Sequence, residues 1–192
     1  MNSLAEASRY LIPALWIIWL AIWIGASFNV RRTRQREDWR TAIYNRAPVL
    51  LGAVMLAVPQ SLPATLTRRL LGGADGPAIG TLLVAAGLAL SVWARWHLGR
   101  NWSGIVTVKQ GHTLVTTGPY RRVRHPIYTG LLVGLVGTAL AIGAPYGFIA
   151  TALILVGLII KLHVEEERMR DTFRTDYEAY SRRTARLIPG VY

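Results

Sequence analysis

Five long apolar runs alternate with short polar segments along the chain, at residues 11–28, 47–66, 78–97, 126–143 and 145–164. Each is close to the roughly 20 mostly apolar residues that a helix needs to cross a bilayer core. The pattern predicts an all-α integral membrane protein with five transmembrane helices. The second run carries Pro59 and Pro63 near one end, which predicts a kink or an earlier stop. The first has only Arg9 before it and lacks the basic leader of a signal peptide, so it is expected to be a retained span. Trp16, Trp19 and Trp23 form a stripe along it. The last two runs meet at Gly143-Ala144-Pro145, a link short enough to require a tight antiparallel hairpin. Gly130, Gly134 and Gly137 put small residues on the fourth run, where another backbone can approach closely.

The polar segments fix an orientation. Counted from the N-terminal tail onward, with Arg95 and Lys161 at the ends of their runs taken with the segments that follow them, they hold one, six, two, six, no and seven basic residues. This alternation places the N-terminus outside and the C-terminus in the cytoplasm. The net charge of +12 is therefore read as topology, not as a nucleic-acid surface. A hydrophobic content of 52% with only 17% charged residues excludes both disorder and an ordinary soluble domain. With no cysteine, disulfides, thiol catalysis and cysteine-ligated zinc are excluded. The histidines lack a metal-ligand spacing, and neither a phosphate-binding glycine loop nor a G-x-S-x-G elbow occurs, so no metal is expected.

Chemistry is expected at the cytoplasmic face, which holds His97, His112, His125 and His163 and every acidic residue except Glu6 and Asp75. Pro126 presets the first turn of the fourth helix and keeps His125 out of helical geometry. Arg124 and His125 then sit at a helix N-terminus, a place that favours anions. Glu165-Glu166-Glu167 follow the fifth run and point about 100° apart. Glu166 can reach Arg170, and Glu165 can reach Arg168. The short hairpin brings these glutamates level with Arg124 and His125. Further on, Met169, Phe173, Tyr177 and Tyr180 form one stripe of an amphipathic helix expected to lie on the interface or over the cytoplasmic mouth. Leu187-Ile188-Pro189-Gly190 ends it.

The ordered set His112-Thr113-Leu114-Val115, Gly118-Pro119-Tyr120, Arg124-His125-Pro126-Ile127-Tyr128-Thr129-Gly130, the glutamate pair, Tyr177 with Tyr180, and Leu187-Ile188-Pro189 resembles the isoprenylcysteine carboxyl methyltransferase family. The match runs over residues 98–189, about half the chain, and does not include the first two spans. It divides the chain into a three-helix membrane region, 1–97, and a methyltransferase-like core, 98–192. The resemblance implies a membrane methyltransferase using S-adenosyl-L-methionine, held at the cytoplasmic end of the last helices. Carried over by position, His112, Leu114, Val115, Tyr120, His125, Pro126, Ile127 and Tyr128 would line the cofactor pocket, with Glu165 or Glu166 also in contact. Arg124 and Glu166 are the expected catalytic pair. Where the eukaryotic enzymes carry a substrate-contacting arginine before the acidic pair, this chain has Lys161.

The residues suit that chemistry. Arg124 and a helix N-terminus match a carboxylate, glutamates match an ammonium or sulfonium, and Tyr120 or Tyr128 can lie against either adenine or cation. Methyl transfer to a carboxylate needs no general base, only alignment and exclusion of water. An amphiphilic acceptor entering from the lipid bilayer is expected. Two other classes share parts of the pattern: an NADPH-dependent membrane reductase of a sterol-like substrate, and a non-enzymatic membrane scaffold.

Overall fold

The computed structural model describes residues 3–28, 39–71, 73, 75–99 and 114–190. Among these described residues six α-helices follow in order: α1 (Ser3–Ser27), α2 (Trp39–Ala57), the single turn α3 (Ala64–Thr67), α4 (Asp75–Leu98), α5 (Pro126–Ile142) and α6 (Pro145–Arg183). The one β feature among the described residues is an isolated bridge between Val123 and Ala185. The all-α expectation holds. Three helices, Glu6–Ser27, Asp75–Leu98 and Pro145–Arg183, are long and apolar enough to cross a membrane, and Ile43–Ala57 and Pro126–Ile142 are shorter apolar helices.

Two helix bounds depart from the apolar runs. α2 starts earlier than expected and stops at Ala57, and Pro59–Ser61 forms a 3₁₀ turn before α3. Proline lacks the N–H donor that continues a helix, which is why the run breaks at Pro59 and again at Pro63. At the other end, the expected separate amphipathic helix is the continuation of α6. It runs unbroken past the glutamates and kinks at Arg174, whose φ of 44° and ψ of −117° lie outside helical geometry, before continuing to Arg183. Residues 175–190 then form a strap that returns to the start of α5.

α4 and α5 make the most extensive helix pair, and α2 lies against α6. Lipid offers no hydrophobic drive between helices, so close backbone approach and hydrogen bonds must hold them. Gly130 and Gly137 do face another backbone, that of α4 at Gly87 and Gly80, whereas Gly134 faces the Trp16 ring and the Leu88 side chain at 3.4–3.5 Å. A Cβ on Gly137 would stand 2.6 Å from Gly80 O, and one on Gly87 would stand 2.6 Å from Gly134 N. α1 is attached by its polar side chains. Trp19 Nε1 donates to Ser91 Oγ at 2.6 Å and Trp16 Nε1 to Thr138 Oγ1 at 3.1 Å. The buried Arg95 donates to Ala26 O at the end of α1 and to Gly99 O just past α4, where helix C-termini attract a cation.

α5 is sharply bounded. Pro126 opens it, and Gly143, in the left-handed region at φ 65°, donates its N–H to Ala139 O and closes it. Only Gly143 and Ala144 separate it from α6. The beginning of α5 and the glutamates of α6 therefore meet at one end of the bundle.

Candidate active site

Glu166 is the centre of that meeting. Its side chain has no exposed surface, whereas Glu165 is 18% exposed and Glu167 is exposed, so the three carboxylates diverge as helix geometry requires. Around Glu166 stand Arg124 Nε at 2.8 Å, Arg186 Nη2 at 3.1 Å, Arg170 Nη2 at 3.3 Å and His125 Nε2 at 3.4 Å. Burial would raise its pKa. The neighbouring His125 and the Arg124 hydrogen bond outweigh burial and hold the carboxyl at about 2. The Glu166–Arg170 pair is the one expected from helical spacing.

Arg124 is committed to the fold. Beyond Glu166, its Nη1 donates to Ser181 O at 2.9 Å and to Thr184 O. Its backbone N–H donates to Ala185 O at 2.8 Å, and that of His125 to Arg186 O at 3.1 Å. The N–H groups at the start of α5, expected to attract an anion, are thus partly taken by the strap. Thr129 Oγ1 adds a 2.7 Å bond to Leu187 O.

Beside this buried core lies a more open row. Tyr128 Oη donates to Glu165 Oε1 at 2.6 Å, and Lys161 Nζ is 3.9 Å from the same oxygen and 5.6 Å from the Tyr128 ring centre. His125 stacks on Tyr128 with centroids 5.6 Å apart and has Nδ1 3.7 Å from Glu165 Oε2. Lys161, expected to serve a substrate, is therefore part of the Glu165 cluster.

Pro126, Ile127 and Tyr120 are buried behind the row, and Val115 packs on the cluster of Ala94, Tyr120 and Ile127. Leu114 is half-buried, and His112 lies outside the described residues. Gly118, at φ 58°, presses against the His97 ring; a Cβ there would come within 2.6 Å of it. His97 Nε2 is 2.8 Å from Thr117 Oγ1. Tyr120 is tied at both ends: its Oη donates to Ala94 O at 3.3 Å, and its carbonyl accepts from Tyr180 Oη at 2.6 Å. Burial pushes the phenols of Tyr120 and Tyr177 well up and that of Tyr180 to about 12. The buried Tyr177 Oη makes no hydrogen bond among the described residues, and His125 Nε2 has its 3.4 Å contact with Glu166 Oε1.

Sequence reasoning had not singled out Arg186, Ser181 or Thr184 for the site. The only available signal was that the tail keeps an arginine, Arg186, just before its apolar Leu187-Ile188.

A family model for phospholipid methyltransferases matches residues 77–176, just over half of the chain. The chain belongs to the phospholipid methyltransferase family. It is 30% identical over 116 residues to a probable protein-S-isoprenylcysteine O-methyltransferase of Oryza sativa subsp. indica, which takes in 59% of this chain and 61% of that protein. It is 29% identical over 122 residues to the cobalt-zinc-cadmium resistance protein CzcN of Cupriavidus metallidurans, covering 61% of this chain and 54% of that one. A solved eukaryotic intramembrane Ras methyltransferase, isoprenylcysteine carboxyl methyltransferase, shares the fold with a TM-score of 0.54 and 21% identity over 76% of this chain and 52% of that chain. The chain spans less than two thirds of the length of these relatives. The motif resemblance to isoprenylcysteine methyltransferases is borne out by these relatives.

Proposed function

We propose that the protein transfers a methyl group from S-adenosyl-L-methionine to an amphiphilic acceptor at the membrane interface, an isoprenylcysteine-type carboxylate. The observation that carries this is where the family match falls. Residues 77–176 take in both halves of the polar cluster, Arg124 to Tyr128 and Lys161 to Glu166, whose hydrogen-bonded and ion-paired side chains lie 2.6–3.9 Å apart.

The residues fit the cofactor. Tyr177 Oη is a buried polar atom that lacks a hydrogen bond among the described residues, as expected of a site whose ligand completes it. Tyr128 and His125 offer stacked ring faces, and Glu165 offers a partly exposed carboxylate to an ammonium or sulfonium. Leu114, Val115, Tyr120, Pro126 and Ile127 supply apolar walls. When bound, the cofactor supplies an electrophilic methyl on sulfur. Glu166 and Arg124 then act as positioning groups: with Glu166 fully covered, the pair fixes His125 and the start of α5 without needing to touch the reacting atoms. Lys161 pairs with an acidic acceptor head, and the acceptor carboxylate attacks without a general base once water is excluded.

The same reading sets five spans, a tight α5–α6 hairpin, an outside N-terminus and a cytoplasmic site, with residues 1–97 as membrane region and 98–192 as chemical core. α5, at 17 residues, rises about 26 Å, close to the hydrocarbon thickness. A reporter after Tyr192 should read cytoplasm and one at Gly73 the outer side; a cytoplasmic signal at Gly73 overturns that topology.

Calorimetry on detergent-purified protein tests the chemistry. S-adenosyl-L-methionine should bind, and Glu165→Gln should weaken it about tenfold, the loss of one hydrogen bond to a charged group. Labelled methyl should pass to a farnesylated cysteine carboxylate, and Lys161→Met should raise its KM more than it alters cofactor affinity. NADPH binding with none for S-adenosyl-L-methionine would replace this reading by the reductase. Equal methylation of a short water-soluble acid would remove lateral entry of the acceptor.

A further inference from the structure

Trp93 and Trp96, on the last turns of α4, are 53% and 66% exposed. Amphipathic rings left outside a membrane bundle mark the level where hydrocarbon gives way to headgroups. The segment from Leu114 onward packs at that level: Tyr120 Oη reaches Ala94 O at 3.3 Å, and Thr117 Oγ1 is 2.8 Å from the His97 ring. Arg121 and Arg122 come directly next and are exposed. The strap brings a third cation to the same edge. Ala185 N donates to Arg122 O at 3.3 Å, and the exposed Arg183 lies two residues before Ala185.

Among the described residues, none of these three arginines forms an ion pair, although α6 exposes Glu167, Asp171, Asp176 and Glu178. Glu178 is engaged by Arg182 instead, at 4.0 Å. Topology alone explains basic residues on this side of a membrane. It does not explain three uncompensated ones at headgroup level on the seam where the strap joins the rest of the site.

We propose that this edge docks anionic phospholipid headgroups, and that a phosphate bridging Arg121, Arg122 and Arg183 holds the C-terminal strap closed over Glu166. Each basic residue near an anionic surface strengthens binding by about fivefold, so three give on the order of a hundredfold. The strap supplies the carbonyls that hold Arg124 and His125, so lipid charge is coupled to the order of the site. The inference does not depend on which acceptor is methylated, or on methyl transfer at all.

Hydrogen exchange of the full chain in nanodiscs tests it. In going from phosphatidylcholine discs to discs containing phosphatidylglycerol, amides of residues 181–187 should slow about tenfold or more, and added salt should reverse this. The triple variant Arg121→Gln, Arg122→Gln, Arg183→Gln should lose the response, and the corresponding triple lysine variant should keep it. Arg68→Gln with Arg69→Gln, at the opposite end, should respond as wild type. Equal exchange of wild type in both discs overturns the proposal, as does a triple glutamine variant that still responds. Slowing by inorganic phosphate alone in phosphatidylcholine discs also overturns it, because the patch would then serve free phosphate. If the glutamine variant fails to fold, the wild-type salt reversal and the lysine variant decide.

Discussion

One face of α5 meets α4 through glycines, and its first residues meet α6 through charges. Along the α4–α5 seam, Gly80 and Gly87 lie against Gly137, Gly130 and Gly134, and the backbones touch. At the mouth, Glu166 is enclosed by Arg124, Arg170, Arg186 and His125. The difference follows from the surroundings. In the middle of a bilayer a charge is expensive and apolar contact between helices gains little over contact with lipid, so shape has to do the holding. At the helix ends the strap carbonyls and solvent can satisfy charged groups, so an ion cluster becomes affordable and chemistry can sit there. The seam should therefore respond to side-chain volume and ignore pH, while the mouth should respond to charge and pH.

The largest expected effect tests the mouth. Glu166→Ala leaves Arg124 and Arg186 buried against no carboxylate, and breaking such a pair costs about 3–5 kcal/mol. Thermal unfolding in detergent should drop accordingly. A wild-type transition would mean that the cluster holds nothing.

Acid should separate the two regions next. Glu166 titrates at about 2 in the folded chain against an ordinary 4.5. A depressed carboxylate stabilises fully above its unfolded value, and that contribution is lost as pH falls from 4.5 through about 2. Wild type should destabilise across that window, and Glu166→Gln should be flatter. The seam variant Gly87→Val should keep the wild-type slope. An identical slope in wild type and Glu166→Gln would assign acid sensitivity to other groups.

Gly87→Val itself is third. Its new atoms point at Gly134 N and the Gly130 carbonyl, backbone that cannot swing aside. Overpacking of this kind costs about 1–3 kcal/mol, with no dependence on salt or pH. A neutral outcome would show that the seam is looser than its geometry.

The sequence makes one side of each contact legible more readily than the other. Gly130, Gly134 and Gly137 stand out on α5, but Gly80 and Gly87 are spaced two turns apart inside a uniformly apolar run and give no local sign of facing them. The tryptophan stripe of α1 is visible, while its partners Ser91 and Thr138 read as ordinary small residues of other helices. The approach of Arg124 to Glu166 follows from the two-residue link, because so short a connection returns the chain to its own level. The strap does not follow. No glycine or proline marks Arg174, so the stripe from Met169 to Tyr180 reads as one amphipathic helix, and the kink within it goes with the contact of Tyr180 to the Tyr120 carbonyl. Hidden with the strap were Arg186 and the carbonyls of Ser181 and Thr184 that hold Arg124.

The smallest expected effect belongs to α1, which borrows from both strategies. Trp19 packs flat against Trp23, with centroids 4.7 Å apart, and also donates to Ser91 Oγ at 2.6 Å. The short distance suggests a strong bond, but the unfolded chain in a membrane also finds partners for these groups, and measured couplings between transmembrane helices average about 0.6 kcal/mol. Trp19→Phe keeps most of the ring packing and removes the donor, and Ser91→Ala removes the acceptor. A double-mutant cycle on thermal stability should give a coupling of about 0.6 kcal/mol, well below the Glu166 effect and independent of pH. A coupling of several kcal/mol would place α1 with the mouth, as an element held by polar bonds. A coupling near zero would leave ring packing and close fit as its attachment, as in the glycine seam.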